Sequence, residues 1–251
     1  MTSLPRIPFK HLFERELRLL ENPVCKQCDA RIRHPLLPWL VGRKFLYSDE
    51  RVLFVGKPHR GGRDQALDSG FIDPAAWVAK DLWNKPWAYW SYTREIAENL
   101  YGQSAFDFIA MTNCIKCTNV DTKKHGKSTS TDRTTFKMAE SCISKLGVIW
   151  KEIVLLKART VIFYTFGLHR RLLEAVPITL SDTIEERTPQ NHLVRCRNKW
   201  LGWWERSCKT PWTDNLRILV VGHPERMARR EYVELVTNWV RPERPFDRAP
   251  E

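Results

Sequence analysis

Cys25 and Cys28 form a C-x-x-C pair, and Cys117 and Cys142 stand apart from it. Cys117 follows a strand-like run and a Lys, and Cys142 lies inside an amphipathic helix-like segment. One pair and two singles is a common way to supply four thiolates to an iron–sulfur cluster. Four thiolates suit Zn²⁺ equally well. Seven cysteines in 251 residues are too few for a disulfide scaffold. The leading segment MTSLPRIPFKHLFERELRLL carries charges within its apolar run, so it reads as neither a secretory signal nor a membrane span. No stretch reaches the roughly 18 apolar residues of a spanning helix. The expectation is a cytoplasmic, reducing location, where paired cysteines more often serve metal or redox chemistry than bridges. Cys114, Cys196 and Cys208 read as small buried hydrophobes.

Composition narrows the partner. A formal charge of +12 points to a polyanion. Eleven tryptophans, several beside Lys or Arg, suit base stacking next to phosphate contacts. With 43% hydrophobic residues the chain can build a sizeable core.

The elements that must position these residues alternate. Arg51–Gly56, Phe106–Cys114, Thr160–Gly167 and Leu216–Gly222 are short, nearly continuous apolar runs, the pattern of parallel strands covered on both faces. Helical patterns lie between and around them: Pro5–Glu21, Pro74–Trp83, Tyr89–Leu100, Phe136–Lys157 and Glu225–Val240. Phe136–Lys157 is the longest, with Met138, Cys142, Leu146, Ile149 and Ile153 on one face. Such alternation predicts an open α/β/α sandwich in one domain over residues 1–251. Ligands of such sheets sit beyond the carboxyl ends of the strands. That rule selects the loops Gly56–Asp73, Asn113–Arg133 and Gly222–Arg230. A further segment, Arg197–Trp212 (RNKWLGWWERSCKTPW), mixes Trp with Lys and Arg and reads as an inserted loop, as does the polar, basic stretch 118–133.

The stretches VLFVGKPHR, FIAMTNCIKC and VVGHPERMARR, in this order, resemble the uracil-DNA glycosylase superfamily. The resemblance is closest to its iron–sulfur branch, and it runs from Cys25 to about Val240. The Asn-x-x-Lys-Cys match at Asn113–Cys117 and the helix motif MAESCISKL carry it most specifically. It implies a three-layer α/β/α sandwich with a central, mostly parallel four-stranded sheet. It also implies a [4Fe–4S] cluster on Cys25, Cys28, Cys117 and Cys142. The implied activity is that of a monofunctional DNA glycosylase acting as a monomer, without a membrane. It would flip uracil or another modified pyrimidine out of DNA and hydrolyse its N-glycosidic bond. The alternative is a glycosylase-like module that binds DNA without catalysis.

The resemblance also implies roles for single residues. His223 would donate to the pyrimidine O2, and Asn113 would read the Watson–Crick edge. Phe71 would stack on the flipped base, with Gly56 and Lys57 beside it. Arg226, Met227, Arg229 and Arg230 fall where the family has a minor-groove wedge, with Met227 as the inserting side chain. Two departures stand out. The loop between Cys117 and Cys142 is longer than usual. Lys57 occupies the position of a Glu tied to water activation, so another carboxylate must serve if hydrolysis occurs. Asp73 is the expected replacement and Asp64 its competitor.

Overall fold

A computed structural model of the protein describes residues 18–19, 21–30, 38–57, 81–117, 119–122, 128–131, 134–174 and 190–242. In chain order the elements are α1 (Pro23–Lys26), β1 (Leu40–Val41), β2 (Val52–Gly56), α2 (Ala88–Tyr101), α3 (Ala105–Phe108), β3 (Ala110–Asn113), β4 (Asn119–Thr122) and β5 (Ser128–Thr131). There follow α4 (Phe136–Ala139), a π-helical turn (Glu140–Lys145), α5 (Val148–Leu156), β6 (Thr160–Phe163), α6 (Phe166–Glu174), β7 (Gln190–Cys196), β8 (Lys199–Thr210), β9 (Thr213–Val221) and α7 (Arg229–Val240).

One sheet organises the protein, in the order β1-β3-β2-β6-β9-β8-β7. Its centre, β3-β2-β6-β9, is parallel throughout and lies within the four apolar runs, but Phe106–Phe108 at the start of one run belong to α3 and Phe166–Gly167 at the end of another to α6. Alternate residues serve opposite faces, as the strand period of 2 requires. Leu53, Val55, Val161, Phe163, Ile218 and Val220 enter a core completed by α4, the π turn and α5. Val52, Phe54, Ile162, Leu219 and Val221 enter a second core under α2 and α7. Helices therefore cover both faces, which is why these strands lack polar alternation.

Two expectations need correction. Among the described residues the sheet has seven strands and is mixed, where a four-stranded, mostly parallel one was expected: β1 is antiparallel to β3, β8 to β9 and β7 to β8. The segment 197–212, expected as an inserted loop, is mostly strand β8, and part of 118–133 forms the β4–β5 hairpin. In β8, Leu201, Trp203, Trp204, Arg206, Cys208 and Thr210 are buried, so the Trp-rich run is largely core.

The expected helix over Phe136–Lys157 is also interrupted. Leu146 N donates to Ser141 O at 2.9 Å, an i→i+5 bond, and Gly147 takes φ +59° before α5 begins. Tyr89–Leu100 and most of Glu225–Val240 are helical as expected, in α2 and α7. Pro5–Glu21 and Pro74–Trp83 fall largely outside the described residues. Among the described residues no helix is long and apolar enough to cross a membrane.

Candidate functional site

Cys25, Cys28, Cys117 and Cys142 line one cavity, together with Ile115, Met138 and Leu146. Three separate devices bring them there. Asn22 accepts from Val24 N at 2.9 Å and caps α1, so Cys25 and Cys28 share a single turn whose Cys28 N donates to Cys25 O. Cys117 ends the loop leaving β3. Cys142 sits in the π turn, a device that locally widens a helix and is frequent at functional sites. Thr135 fastens two of these pieces: its Oγ1 donates to both carboxylate oxygens of Asp29 at 2.8 Å and accepts from Met138 N at 3.1 Å.

Burial pushes the Cys142 thiol up to about 12; a hydrogen bond from the Lys116 backbone opposes this, and nearby Cys28 and Cys25 add to it. Cys114, on the same side, is likewise pushed up to about 12 by burial but does not line the cavity. Among the described residues, no three of the His, Cys, Asp and Glu side chains form a group able to hold a single metal ion. The four thiols instead surround a shared, largely apolar space.

A buried ion pair, unforeseen from sequence, ties this centre to β3. Lys116 Nζ lies 2.6 Å from Glu152 Oε2 and 2.5 Å from Thr112 Oγ1, and Thr112 Oγ1 donates to the same carboxylate oxygen at 2.9 Å. Lys116 and Glu152 are 1% and 0% exposed, so neither charge is relieved by water. Burial raises the Glu152 carboxyl, and Lys116 then Thr112 pull it back. Two signals were available in the sequence: Lys116 inside the Asn-x-x-Lys-Cys motif, and Glu152 among the apolar residues Ile149 and Ile153.

The carboxyl edge of the parallel strands collects the other candidates. Asn113 ends β3 and Gly56 ends β2, paired with each other in register. A Cβ on Gly56 would stand 2.9 Å from Asn113 Oδ1 and 2.8 Å from Tyr89 Cε2, so glycine is what lets the Asn113 amide and the Tyr89 ring approach the strand end. Asn113 is 4% exposed and its Nδ2 has no hydrogen-bond partner, an uncommon state for a buried donor. Thr165, just beyond β6, shows the same condition at its Oγ1. Tyr89 and Thr165 were not singled out from sequence. Lys57 follows Gly56, half-buried.

His223 follows β9 at the same edge, three strands from Asn113, or about 14 Å at normal strand spacing. Its Nδ1 accepts from Glu225 N at 3.2 Å. In a neutral imidazole so bonded, Nε2 carries the proton and is the ring's donor. The loop behind it is held at several points. Tyr232 Oη donates to Gly222 O at 2.9 Å, Tyr92 Oη to Met227 O at 2.8 Å, and Lys199 Nζ to Arg226 O at 2.5 Å. Arg226 takes φ +66° in this turn.

The expected DNA-contacting group is only partly available. Arg229 pairs with Glu95 at 2.5 Å and Arg230 with Glu234 at 2.9 Å. Met227 packs against the core beneath α2 and α7 instead of standing clear of it. Arg226 is exposed. Phe71, Asp73 and Asp64 lie outside the described residues. The sequence matches no protein-family model and none of the curated proteins.

Proposed function

We propose that this protein is a DNA glycosylase that everts a modified pyrimidine and hydrolyses its N-glycosidic bond. The observation that carries this reading is Asn113. A buried amide with a free donor ends a parallel strand at the edge where α/β sheets bind ligands, and it faces the strand-end glycine that such close approach requires. An amide offers both donors and an acceptor to a base edge. His223, with Nε2 as its donor, lies across the same edge.

Glycosidic cleavage builds negative charge on the departing base and positive charge on the sugar. A donor fixed near the base oxygen stabilises the first, and a carboxylate near the sugar the second. His223 takes the base side. Asp73 is assigned the sugar side, because Lys57 holds the position where the resembled branch has a Glu. Lys57 then serves a phosphate or a substituent on the base. That substitution, with the long loops, favours a modified pyrimidine over plain uracil.

The cysteine set fits a [4Fe–4S] cluster. The support for it is that four thiols from three separate segments line one shared cavity, the arrangement the resembled branch uses for its cluster. Cys25, Cys28, Cys117 and Cys142 would hold it, and it would supply a cross-link between α1, the β3 loop and the π turn. Purified protein is expected to be brown with absorption near 400 nm.

Lys57 also favours a second reading, a base-binding module without turnover. Incubation with duplexes carrying uracil or modified cytosines, followed by alkali, separates the two. Strand cleavage at the modified base supports the enzyme. Binding without cleavage of any such duplex leaves the module.

A further inference from the structure

The β7–β8 hairpin reaches past the sheet. Trp203 pairs with Val221, the last residue of β9, and Gly222 N donates to Gly202 O at 3.1 Å. Lys199, Trp200 and Leu201, paired with Cys196, Arg195 and Val194, therefore extend about 10 Å beyond the last parallel strand, at the edge that holds His223.

The two faces of this tip differ. On one, Cys196 and Leu201 are buried, Cys196 lies against Ala228 O, and Lys199 holds Arg226 O. That face docks the hairpin on the His223 loop. On the other, Arg195 and Trp200 are direct cross-strand partners and Leu193 is two residues away on the same side. Trp200 is 66% and Leu193 60% exposed. Between His192 and Trp200 the chain has Arg195, Arg197 and Lys199 and no acid. Among the described residues none of these cations meets a carboxylate, whereas Arg43, Arg229, Arg230 and Arg241 all do. An exposed indole flanked by cations that meet no carboxylate among the described residues, with Arg195 Nε held by Arg197 O at 3.1 Å, is the make-up of a nucleic-acid contact: cations for phosphates, a ring for an unstacked base.

We propose that the β7–β8 tip grips the DNA beside the everted nucleotide, with Arg195 and Arg197 on phosphates and Trp200 stacked on a neighbouring base. The proposal rests on the glycosylase reading and adds a contact surface to it. The test is fluorescence anisotropy of the full chain with a fluorescein-labelled duplex over a series of salt concentrations. The variants are Arg195→Gln/Arg197→Asn, which keeps a residue tolerant of the left-handed backbone at 197 (φ +52°), and Trp200→Ala. Lys151→Ala/Lys209→Ala, exposed on α5 and at the opposite end of β8 from the tip, with Lys209 beside Asp214, is the control that removes the same formal charge. Loss of two phosphate contacts lowers the slope of log affinity against log salt by roughly 1.8. Loss of one stacked base weakens binding about 5- to 150-fold. Unchanged thermal melting of each variant separates these effects from misfolding, and an unfolded double variant is replaced by Arg195→Gln alone, with a slope change of roughly 0.9. Wild-type affinity and slope in the tip variants, or an equal drop in the control, overturns the hairpin contact while DNA binding stands. A wild-type protein that binds no duplex overturns the glycosylase reading and the hairpin contact together.

Discussion

At the scale of single residues, the candidate site is defined by unpaired polarity more than by any motif. Asn113 Nδ2 is a buried donor without a partner, a condition that costs about 1–3 kcal/mol and that a ligand acceptor would relieve. His223 is the complement: its Nδ1 accepts from Glu225 N, which makes Nε2 the donating nitrogen of a neutral ring. Replacing His223 by Ala is expected to lower turnover by about 10²–10³-fold, the usual cost of losing one donor at a developing anion. Duplex affinity measured by anisotropy should stay within about two-fold, since the chemistry and not the docking is removed. Asp73→Asn should behave the same way, and activity surviving both changes would move the chemistry elsewhere. The cysteines allow an equally local test. Cys117→Ala or Cys142→Ala is expected to abolish the absorption near 400 nm, while Cys114→Ala keeps it, because Cys114 lies beside the cavity without lining it. Loss of colour with Cys114→Ala would redraw the ligand set.

At the scale of elements, Lys116, Thr112 and Glu152 join β3 to α5 and so fix the loop that runs from Asn113 to Cys117. A single change, Glu152→Leu, leaves the Lys116 charge buried and unpaired, and is expected to cost about 3–5 kcal/mol in urea unfolding. The double change Lys116→Met/Glu152→Leu should recover most of that loss, as buried ion pairs generally trade evenly with apolar residues of similar size. Equal losses in the single and double variants would show that the pair itself, and not the orphaned charge, carries the stability. The sequence made some of these elements plain and hid others for physical reasons. The four central strands were legible because burial on both faces leaves unbroken apolar runs such as Val52–Val55. Strand β8 was not, because a half-exposed antiparallel strand alternates, and its Trp–Lys–Arg mixture resembles a loop when the alternation is overlooked. The π turn at Cys142 was invisible because one extra residue barely disturbs helical spacing. The ion pair was legible only as two separate oddities, since Lys116 and Glu152 are 36 residues apart.

At the scale of the whole molecule, charge was legible as a sum and not as a pattern. The excess of +12 says nothing about which cations are already paired. Arg229 looked available for DNA, yet its partner Glu95 lies 134 residues away in α2. Arg241 shows the same long-range logic at the closure of the fold. Just beyond α7, it donates from Nε to Glu50 Oε1 at 2.9 Å and from a terminal nitrogen to Leu100 O at 2.9 Å. It thereby links the end of α7 to the turn before β2 and to the last residues of α2. Burial alone would raise the Glu50 carboxyl, but the Arg241 hydrogen bond, with smaller backbone, charge and Ser48 contributions, holds it below its ordinary value of 4.5. A carboxyl depressed in the folded state contributes stability above its unfolded value and loses it as pH falls through the lower folded value. Arg241→Ala should therefore lower Tm across pH 6 to 8 by a constant amount, set by about 1 kcal/mol for a half-exposed pair. The gap to wild type should narrow below about pH 4.5, as Glu50 becomes protonated in both states. Thermal melts of both proteins from pH 3 to 8 measure it. A gap that persists unchanged at the acid end would assign the contribution to the Leu100 carbonyl, which does not titrate, and remove Glu50 from the closure.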